Sequence, residues 1–90
     1  MPIIITYDIP CKHREFKEKM FDIGYKQVFK DAKGLDVNLP NTTLLHQNKN
    51  ATTAKDDAKR VCSTLNISLD RCITSQFGPD WSGIYGTPLT

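Results

Sequence analysis

The sequence predicts a single α+β domain of the ferredoxin-like type, in which the order βαββαβ gives a four-stranded antiparallel sheet with two helices on one face. Three observations indicate this fold. A β-branched run opens the chain, two segments repeat apolar residues at helical spacing, and further segments are rich in strand-forming residues. Ninety residues suffice for one such domain, which we assign to residues 1–75.

The first predicted strand is the most hydrophobic stretch of the chain, Ile3-Ile4-Ile5-Thr6-Tyr7-Asp8-Ile9-Pro10. Its continuous apolar run is typical of a strand that is buried on both faces, and the proline ends it. Two right-handed crossovers would place this strand at the centre of the sheet and both helices on the same face. An acidic side chain, Asp8, then lies at the C-terminal end of the central strand.

The first helix is predicted over residues 10–23. Phe16, Met20 and Ile23 form one apolar stripe on a helical wheel, so this stripe is expected to face the sheet. Gly24 follows directly. Glycine suits the left-handed conformation that commonly comes after the last helical residue, so Gly24 marks the end of the helix.

The middle of the chain predicts two strands, residues 25–30 and residues 41–47, because both are rich in β-branched, aromatic or other apolar residues. Residues 31–40 contain Lys-Gly and Leu-Pro turn signals, and they predict a long, mobile hairpin loop. A second helix follows. Its N-cap is predicted to be Thr52 or Thr53, because a hydroxyl oxygen there accepts a backbone N–H.

The second predicted helix has the clearest periodicity in the chain. Its apolar residues recur at helical spacing, namely Ala54, Ala58, Val61, Cys62 and Leu65. Asp56 and Asp57 are placed in its first turn, where the helix dipole favours negative charge. Asn66 ends the helix, and the alternation over residues 67–74 predicts a fourth strand.

Residues 76–90 are predicted to form a C-terminal tail outside the sheet. The tail carries four large apolar residues among glycines and prolines, namely Phe77, Trp81, Ile84 and Tyr85. Such side chains are unfavourable in water, so we expect the tail to pack on its own domain or on a dimer partner. The sheet face opposite the helices also needs a cover, and a second copy of the chain would supply one. A homodimer is therefore expected.

The bulk properties favour a cytoplasmic protein. No apolar run approaches the 18 or so residues that a membrane-spanning helix needs, and the N-terminus lacks the pattern of a signal peptide. An odd number of cysteines, three, favours reduced thiols. The net charge is only +2, although residues 12–33 hold more basic than acidic side chains. That bias is mild and fits a solvated helix face as well as a nucleic-acid contact.

Two residues are candidates for chemistry, and each has a structural alternative. Asp8 either caps the first helix or, in a two-fold dimer, meets its symmetry mate to hold a divalent cation through oxygen ligands. His46, near the end of the third predicted strand, is either a general acid or base for RNA cleavage or a structural histidine. The sequence has no glycine-rich phosphate loop and no Cys or His pairs at zinc spacing.

Three features of the sequence resemble a known family. They are a strand ending in Tyr7-Asp8-Ile9, a helix with Arg14, and Ile23-Gly24-Tyr25 leading into Gln27-Val28-Phe29. This family comprises the small CRISPR-associated spacer-acquisition subunits and ribonucleases, together with the related VapD and GhoS endoribonucleases of toxin–antitoxin systems. The layout of residues 20–46 is similar to that of the GhoS antitoxin. The resemblance spans roughly residues 3–75 and implies a ferredoxin-like homodimer that binds or cleaves RNA or DNA. It also implies that Asp8 binds Mg²⁺ or another divalent cation.

The first functional hypothesis is therefore a dimeric, metal-dependent endoribonuclease of a toxin–antitoxin or CRISPR-related defence module. Asp8 and His46 would be its catalytic residues. Its nucleic-acid contacts would come from four basic residues, Arg14, Lys17, Lys26 and Lys30. The alternative is a non-catalytic ferredoxin-like interaction or antitoxin module that binds a protein, such as a cognate toxin or a defence-complex subunit. A third class is a small-ligand regulatory domain. None of these hypotheses involves a membrane.

Overall fold

The computed structural model describes residues 2–88. Met1 of the predicted domain and Leu89 and Thr90 of the predicted tail lie outside the described residues. Within this range the chain forms β1 (Ile3–Asp8), α1 (His13–Asp22), β2 (Val28–Lys30), β3 (Asp36–Asn38), β4 (Thr43–His46), α2 (Ala51–Thr64) and β5 (Arg71–Gln76). This order confirms an α+β fold with two helices and antiparallel sheets. No helix within residues 2–88 is long and apolar enough to cross a membrane.

The first strand lies at the centre of its sheet, as predicted. The strand order is β4-β1-β5, and β1 is antiparallel to both neighbours. Three of its side chains, Ile3, Ile5 and Tyr7, are buried in one core cluster with Phe16 of α1 and Ala58 of α2. Both helices therefore cover the same face of the sheet, and their apolar stripes form the core with the central strand.

The prediction that this strand is buried on both faces is wrong. Burial alternates along β1: Ile3, Ile5 and Tyr7 are buried, whereas Thr6 and Asp8 are exposed. Successive side chains of a strand point to opposite faces, and the helices cover only one of them. The other face is therefore available for contacts that the helices do not make.

The predicted four-stranded sheet is also wrong, because the chain forms a three-stranded sheet and a separate hairpin of β2 and β3. Within the described residues, the second predicted strand pairs with the main sheet only at Lys26, which forms an isolated bridge with Leu45 of β4. Beyond it, β2 pairs with β3, and the amide of Leu39 donates to the carbonyl of Gln27. This local pairing draws residues 28–30 away from the sheet edge. The strand order fits a ferredoxin-like fold only in part.

Both helices begin at residues other than those predicted. The helix α1 starts at His13, preceded by Lys12 with a positive φ of 59°, and no side chain caps it. The interpretation of Asp8 as its cap is therefore wrong. The helix α2 is capped by Asn50, whose side-chain oxygen accepts the amide of Thr53 at 2.8 Å. Thr52 and Thr53 consequently lie inside α2, and Asp56 and Asp57 fall beyond its first turn.

The last strand begins later than its alternating pattern predicted. Residues 67–70 are irregular, and β5 covers Arg71–Gln76. Ile67 and Leu69 are partly buried against the core although they lie in a loop. The apolar alternation over 67–70 therefore reflects loop side chains that pack under α2, which sequence periodicity alone does not separate from a strand.

Replacing Tyr7 with phenylalanine should raise the free energy of unfolding by about 1 kcal/mol. The Tyr7 hydroxyl is buried without a hydrogen-bond partner among residues 2–88, and its ring packs on Phe16 with centroids 4.5 Å apart. Burial, with the Cys62 thiol nearby, raises the pKa of Tyr7 far above its ordinary range. The substitution removes a buried, unpaired polar group and keeps the ring. Urea unfolding followed by circular dichroism measures the change.

The matched control is Tyr25→Phe, since the Tyr25 hydroxyl is also buried but donates to Asp57 at 2.8 Å. This variant should lower the free energy of unfolding by about 1–3 kcal/mol, because a buried acceptor loses a donor. Equal destabilisation by both substitutions would contradict the assignment of the Tyr7 hydroxyl as unpaired.

Candidate binding face and the predicted catalytic residues

The sheet face opposite the helices, here called the helix-free face, is built from alternate residues of three strands: Ile4, Thr6, Asp8, Thr43, Leu45, Arg71, Ile73 and Ser75. It divides into two halves. Over β4, Thr43 and Leu45 are buried, although no helix covers them. Over β5, the Ile73 side chain is 68% exposed. We call these the covered half and the open half.

The covered half lies beneath the β2–β3 hairpin and the C-terminal tail of the same chain. Phe29 of β2 meets Phe77 and Trp81 edge-on, with ring centroids 5.3 Å apart in each pair. Backbone hydrogen bonds hold the tail at both ends. The amide of Phe77 donates to Pro2, and the amide of Asn38 in β3 donates to the carbonyl of Tyr85. The tail therefore packs on its own domain.

A polar contact adds to this attachment. The Tyr85 hydroxyl donates to the carboxylate of Asp31, which also accepts the amides of Lys33 and Leu35. The hydrogen bond from Tyr85, followed by that from Leu35, lowers the pKa of Asp31, and the same contact raises the pKa of Tyr85. Both groups lie at the surface, so this pair orients the tail and contributes little to stability.

Between the tail, the hairpin and the sheet lies a groove of about 680 Å³. Its floor is formed by Ile4 and Thr43, and Phe29 and Trp81 stand on its walls. Ile84 of the tail, 90% exposed, is at its rim. No charged side chain lines it within residues 2–88. This groove is a concave and largely apolar surface, and such surfaces are typical of binding sites.

The open half of the helix-free face contains Asp8, Arg71 and Ile73. Asp8 and Arg71 are cross-strand partners, and Nε of Arg71 donates to Oδ2 of Asp8 at 2.6 Å. This hydrogen bond raises the pKa of the Arg71 guanidinium. Both side chains are more than half exposed. Arg71 was missed from the sequence because its partner is 63 residues away, and only the strand register brings the two together.

His46 holds the end of β4 against the end of α1. Its Nε2 donates to the carbonyl of Ile23 at 3.1 Å, and its Nδ1 accepts the amide of Asn48 at 3.0 Å. The ring also meets Tyr25 edge-on at 4.9 Å. Both nitrogens are thus engaged with the backbone, an arrangement typical of a structural histidine.

The structure does not bring Asp8 and His46 together. His46 pairs with Ile3, at the opposite end of β1 from Asp8. Five residue steps along a strand separate those ends by about 16 Å. A single chain therefore does not combine these two residues at one reacting bond.

The four predicted nucleic-acid contacts are dispersed over three elements. Arg14 is exposed on α1, and Lys17 of the same helix donates to the side-chain oxygen of Asn41. Partial burial lowers the pKa of Lys17. Lys26 forms the bridge to β4 through its backbone, and Lys30 pairs with Asp36 at 2.6 Å. Two of the four side chains are thus occupied within the chain.

A buried ionic cluster was not predicted. The carboxylate of Asp57, only 3% exposed, accepts hydrogen bonds from Lys49, Arg60 and the hydroxyl of Tyr25. Burial opposes its ionisation most strongly, but the hydrogen bonds from Lys49, Tyr25 and Arg60 outweigh burial and lower its pKa. The signal in the sequence was an acidic residue beside Ala58 on the apolar stripe of α2. A polar residue at such a position needs buried partners.

Within residues 2–88, no cluster of three or more His, Cys, Asp or Glu side chains is arranged to hold a metal ion. Within the same described range, Asp8 is therefore not part of such a cluster. Comparison with known proteins identifies no relative, since no protein-family model and no curated protein matches the chain.

Proposed function

We propose that this protein is a non-catalytic interaction module with a ferredoxin-like fold that acts as a homodimer through the open half of its helix-free face. The order β4-β1-β5 supports the fold, and Lys26 marks the fourth strand position by bridging to the outer side of β4. The second strand would be reduced to this bridge because the hairpin draws its remaining residues away.

The observation that carries the proposal is the exposure of Ile73. It projects from β5, an edge strand that pairs only with β1, and most of its side chain meets water. Burying an isoleucine side chain stabilises an association by roughly 1.5–3 kcal/mol. A two-fold interface would bury the same side chain in both copies, so a single exposed isoleucine would contribute to it twice. Another protein with an apolar edge, such as a cognate toxin, would use the same contact.

The positions of the predicted catalytic residues favour binding over catalysis. His46 makes two backbone contacts at one end of β1, and Asp8 pairs with Arg71 at the other. A general acid or base must reach the proton that it transfers, and the two residues lie too far apart within one chain to act on the same bond. The open half, in contrast, needs no additional group in order to bind.

Ile73→Asp should raise the dissociation constant of the homodimer at least tenfold, because each copy would bury a carboxylate without a partner. Sedimentation equilibrium measures the constant. Ile84→Asp is the matched control, since Ile84 is equally an exposed isoleucine but lies at the groove rim. The wild-type chain and the control should form dimers of equal strength. A monomeric wild-type chain at high micromolar concentration would contradict the proposal.

A second candidate function is a metal-dependent endoribonuclease, as the family resemblance implies. It is favoured by one observation: the half-exposed carboxylate of Asp8 shares the helix-free face with Ile73. A dimer built around Ile73 would place both Asp8 carboxylates beside the interface, because Asp8 lies two residues along β1 from Thr6, the partner of Ile73. Because residues 2–88 of one copy hold no cluster of metal-ligating side chains, a cation such as Mg²⁺ would depend on both copies and on bound water.

If this candidate is correct, the purified protein cleaves RNA in the presence of Mg²⁺. Asp8→Asn should lower the cleavage rate at least a hundredfold, which corresponds to a rise of about 2.7 kcal/mol in the activation free energy. Removal of the cation with a chelator should have a similar effect. Arg14→Ala should weaken RNA binding and reduce its dependence on salt, because one phosphate contact is lost. The absence of cleavage by the wild-type chain would reject the nuclease function and leave the binding module in place. Cleavage that persists in Asp8→Asn would reject the metal role of Asp8 but not the nuclease function.

A further inference from the structure

We propose that the groove beneath the tail binds one uncharged, largely apolar small molecule that carries a planar ring. The groove has a volume of about 680 Å³, within the range of roughly 300–1,000 Å³ that accommodates drug-sized ligands. This proposal does not depend on dimerisation. It concerns the covered half of the helix-free face, whereas the homodimer uses the open half.

Charge complementarity selects an uncharged ligand. Charged residues make up 24% of the chain, yet none lines the groove within residues 2–88. A phosphate, a carboxylate or an ammonium group placed there would lose its hydration without gaining an ionic partner, which is strongly unfavourable. Nucleic acids and charged peptides are therefore poor occupants of this site.

The walls favour a planar ring. Phe29, Phe77 and Trp81 pack on one another with ring centroids 5.3–5.8 Å apart, which fixes their orientations. Phe29 and Trp81 are also members of the lining, so the groove presents rigid aromatic surfaces to its occupant. Aromatic pairs gain about 0.5–1.5 kcal/mol beyond the burial of their area.

The floor offers a few polar atoms. Thr6 and Thr43 are members of the lining, and each carries a neutral hydroxyl that can donate or accept a hydrogen bond. A ligand with one or two neutral hydrogen-bonding groups would therefore be oriented by these threonines. An apolar site with a small number of polar atoms has the composition typical of small-molecule pockets.

The shape of the groove argues against a second copy as its occupant. The tail and the hairpin rise on two sides of the floor and are joined by the hydrogen bonds between Asn38 and Tyr85. A flat protein surface would have to displace this attachment in order to reach Ile4 and Thr43. A small molecule enters without breaking it.

The test is a fluorescence titration of the full chain with N-phenyl-1-naphthylamine, an uncharged aromatic probe. Trp81 is the only tryptophan in the chain, and it lines the groove, so energy transfer from Trp81 reports a probe bound at this site. We expect saturable binding with one probe per chain and quenching of Trp81. Uptake that rises linearly without saturation would overturn the proposal.

Two matched variants locate the site. Ile84→Asp places a charge at the groove rim and should weaken probe binding at least tenfold, whereas Ile73→Asp should leave it unchanged and affect only the homodimer. Equal probe binding in Ile84→Asp and the wild-type chain would overturn the proposal. If Ile84→Asp dissociates the dimer and Ile73→Asp does not, a second copy occupies the groove, and the small-molecule site is rejected.

Discussion

Replacing Asp57 with alanine should lower the free energy of unfolding by about 3–5 kcal/mol. The carboxylate is almost fully buried and joins three parts of the chain. Lys49 reaches it from the turn before α2, Arg60 from the next turn of the same helix, and Tyr25 from the segment before β2. Removing it leaves Lys49 partly buried over the ring of Tyr25 without its counter-ion. Urea unfolding at neutral pH measures the loss.

The matched control is Asp56→Ala. The side chain of Asp56 is 60% exposed, and its one ion pair in the described part of the chain, with Lys55, is long at 4.0 Å. Surface substitutions of this kind change stability by about 0.5 kcal/mol or less. A loss below about 1 kcal/mol in Asp57→Ala would contradict the assignment of the cluster as a buried ionic link between α2 and the segments that contain Tyr25 and Lys49.

The same cluster predicts a dependence of stability on pH. The pKa of Asp57 in the folded chain lies below its ordinary value of 3.8. A carboxylate of this kind contributes stability that is complete above its ordinary pKa and is lost as the pH falls through the folded-state pKa. The wild-type chain should therefore lose more stability than Asp57→Ala between about pH 5 and about pH 2. Parallel pH profiles for the two proteins would contradict this.

Replacing Gly24 with alanine should lower the free energy of unfolding by about 2–3 kcal/mol. Gly24 has a φ of +99°, a conformation that side chains rarely adopt, and it follows the last turn of α1. A Cβ at this position would lie 2.7 Å from Nε2 of His46. The imidazole would have to move, and its hydrogen bond to Ile23 would break. Thermal and urea unfolding measure the effect.

Gly34→Ala separates the strain of a positive φ from the contact with His46. Gly34 also has a positive φ, +82°, but no atom lies within 4 Å of a Cβ built there. This variant carries only the backbone strain, about 1–2 kcal/mol. A larger loss in Gly34→Ala than in Gly24→Ala would show that the contact between Gly24 and His46 does not determine the packing at the end of α1.

Sequence periodicity predicted the helices, because their buried residues repeat at short spacing within one segment. Phe16 and Met20 repeat on one stripe of α1, and both are buried as expected. The start of α2 was predicted at the wrong residue because Asn50, Thr52 and Thr53 are all good N-caps. Only the structure identifies the cap among these three residues: Asn50 has an extended backbone, and the helix begins at the next residue, Ala51.

Features that depend on distant partners were not predictable in the same way. The departure of β2 from the sheet depends on pairing with β3 and on the packing of Phe29 against Phe77 and Trp81, about 50 residues further along the chain. The ion pair between Asp8 and Arg71 joins β1 to β5, and it depends on the register in which these two strands pair. The family resemblance directed attention to Asp8, but the groove and the exposed Ile73 arise from the way the tail covers one half of a face.

We expect two copies of this chain to associate through the open half of the helix-free face. Isotope-filtered nuclear Overhauser spectroscopy on a mixture of labelled and unlabelled chains detects this association, because only contacts between copies give a signal. We expect intermolecular contacts between the Ile73 methyl groups of the two copies. Intermolecular contacts that involve only the helices, or none at concentrations where the chain is dimeric, would contradict it.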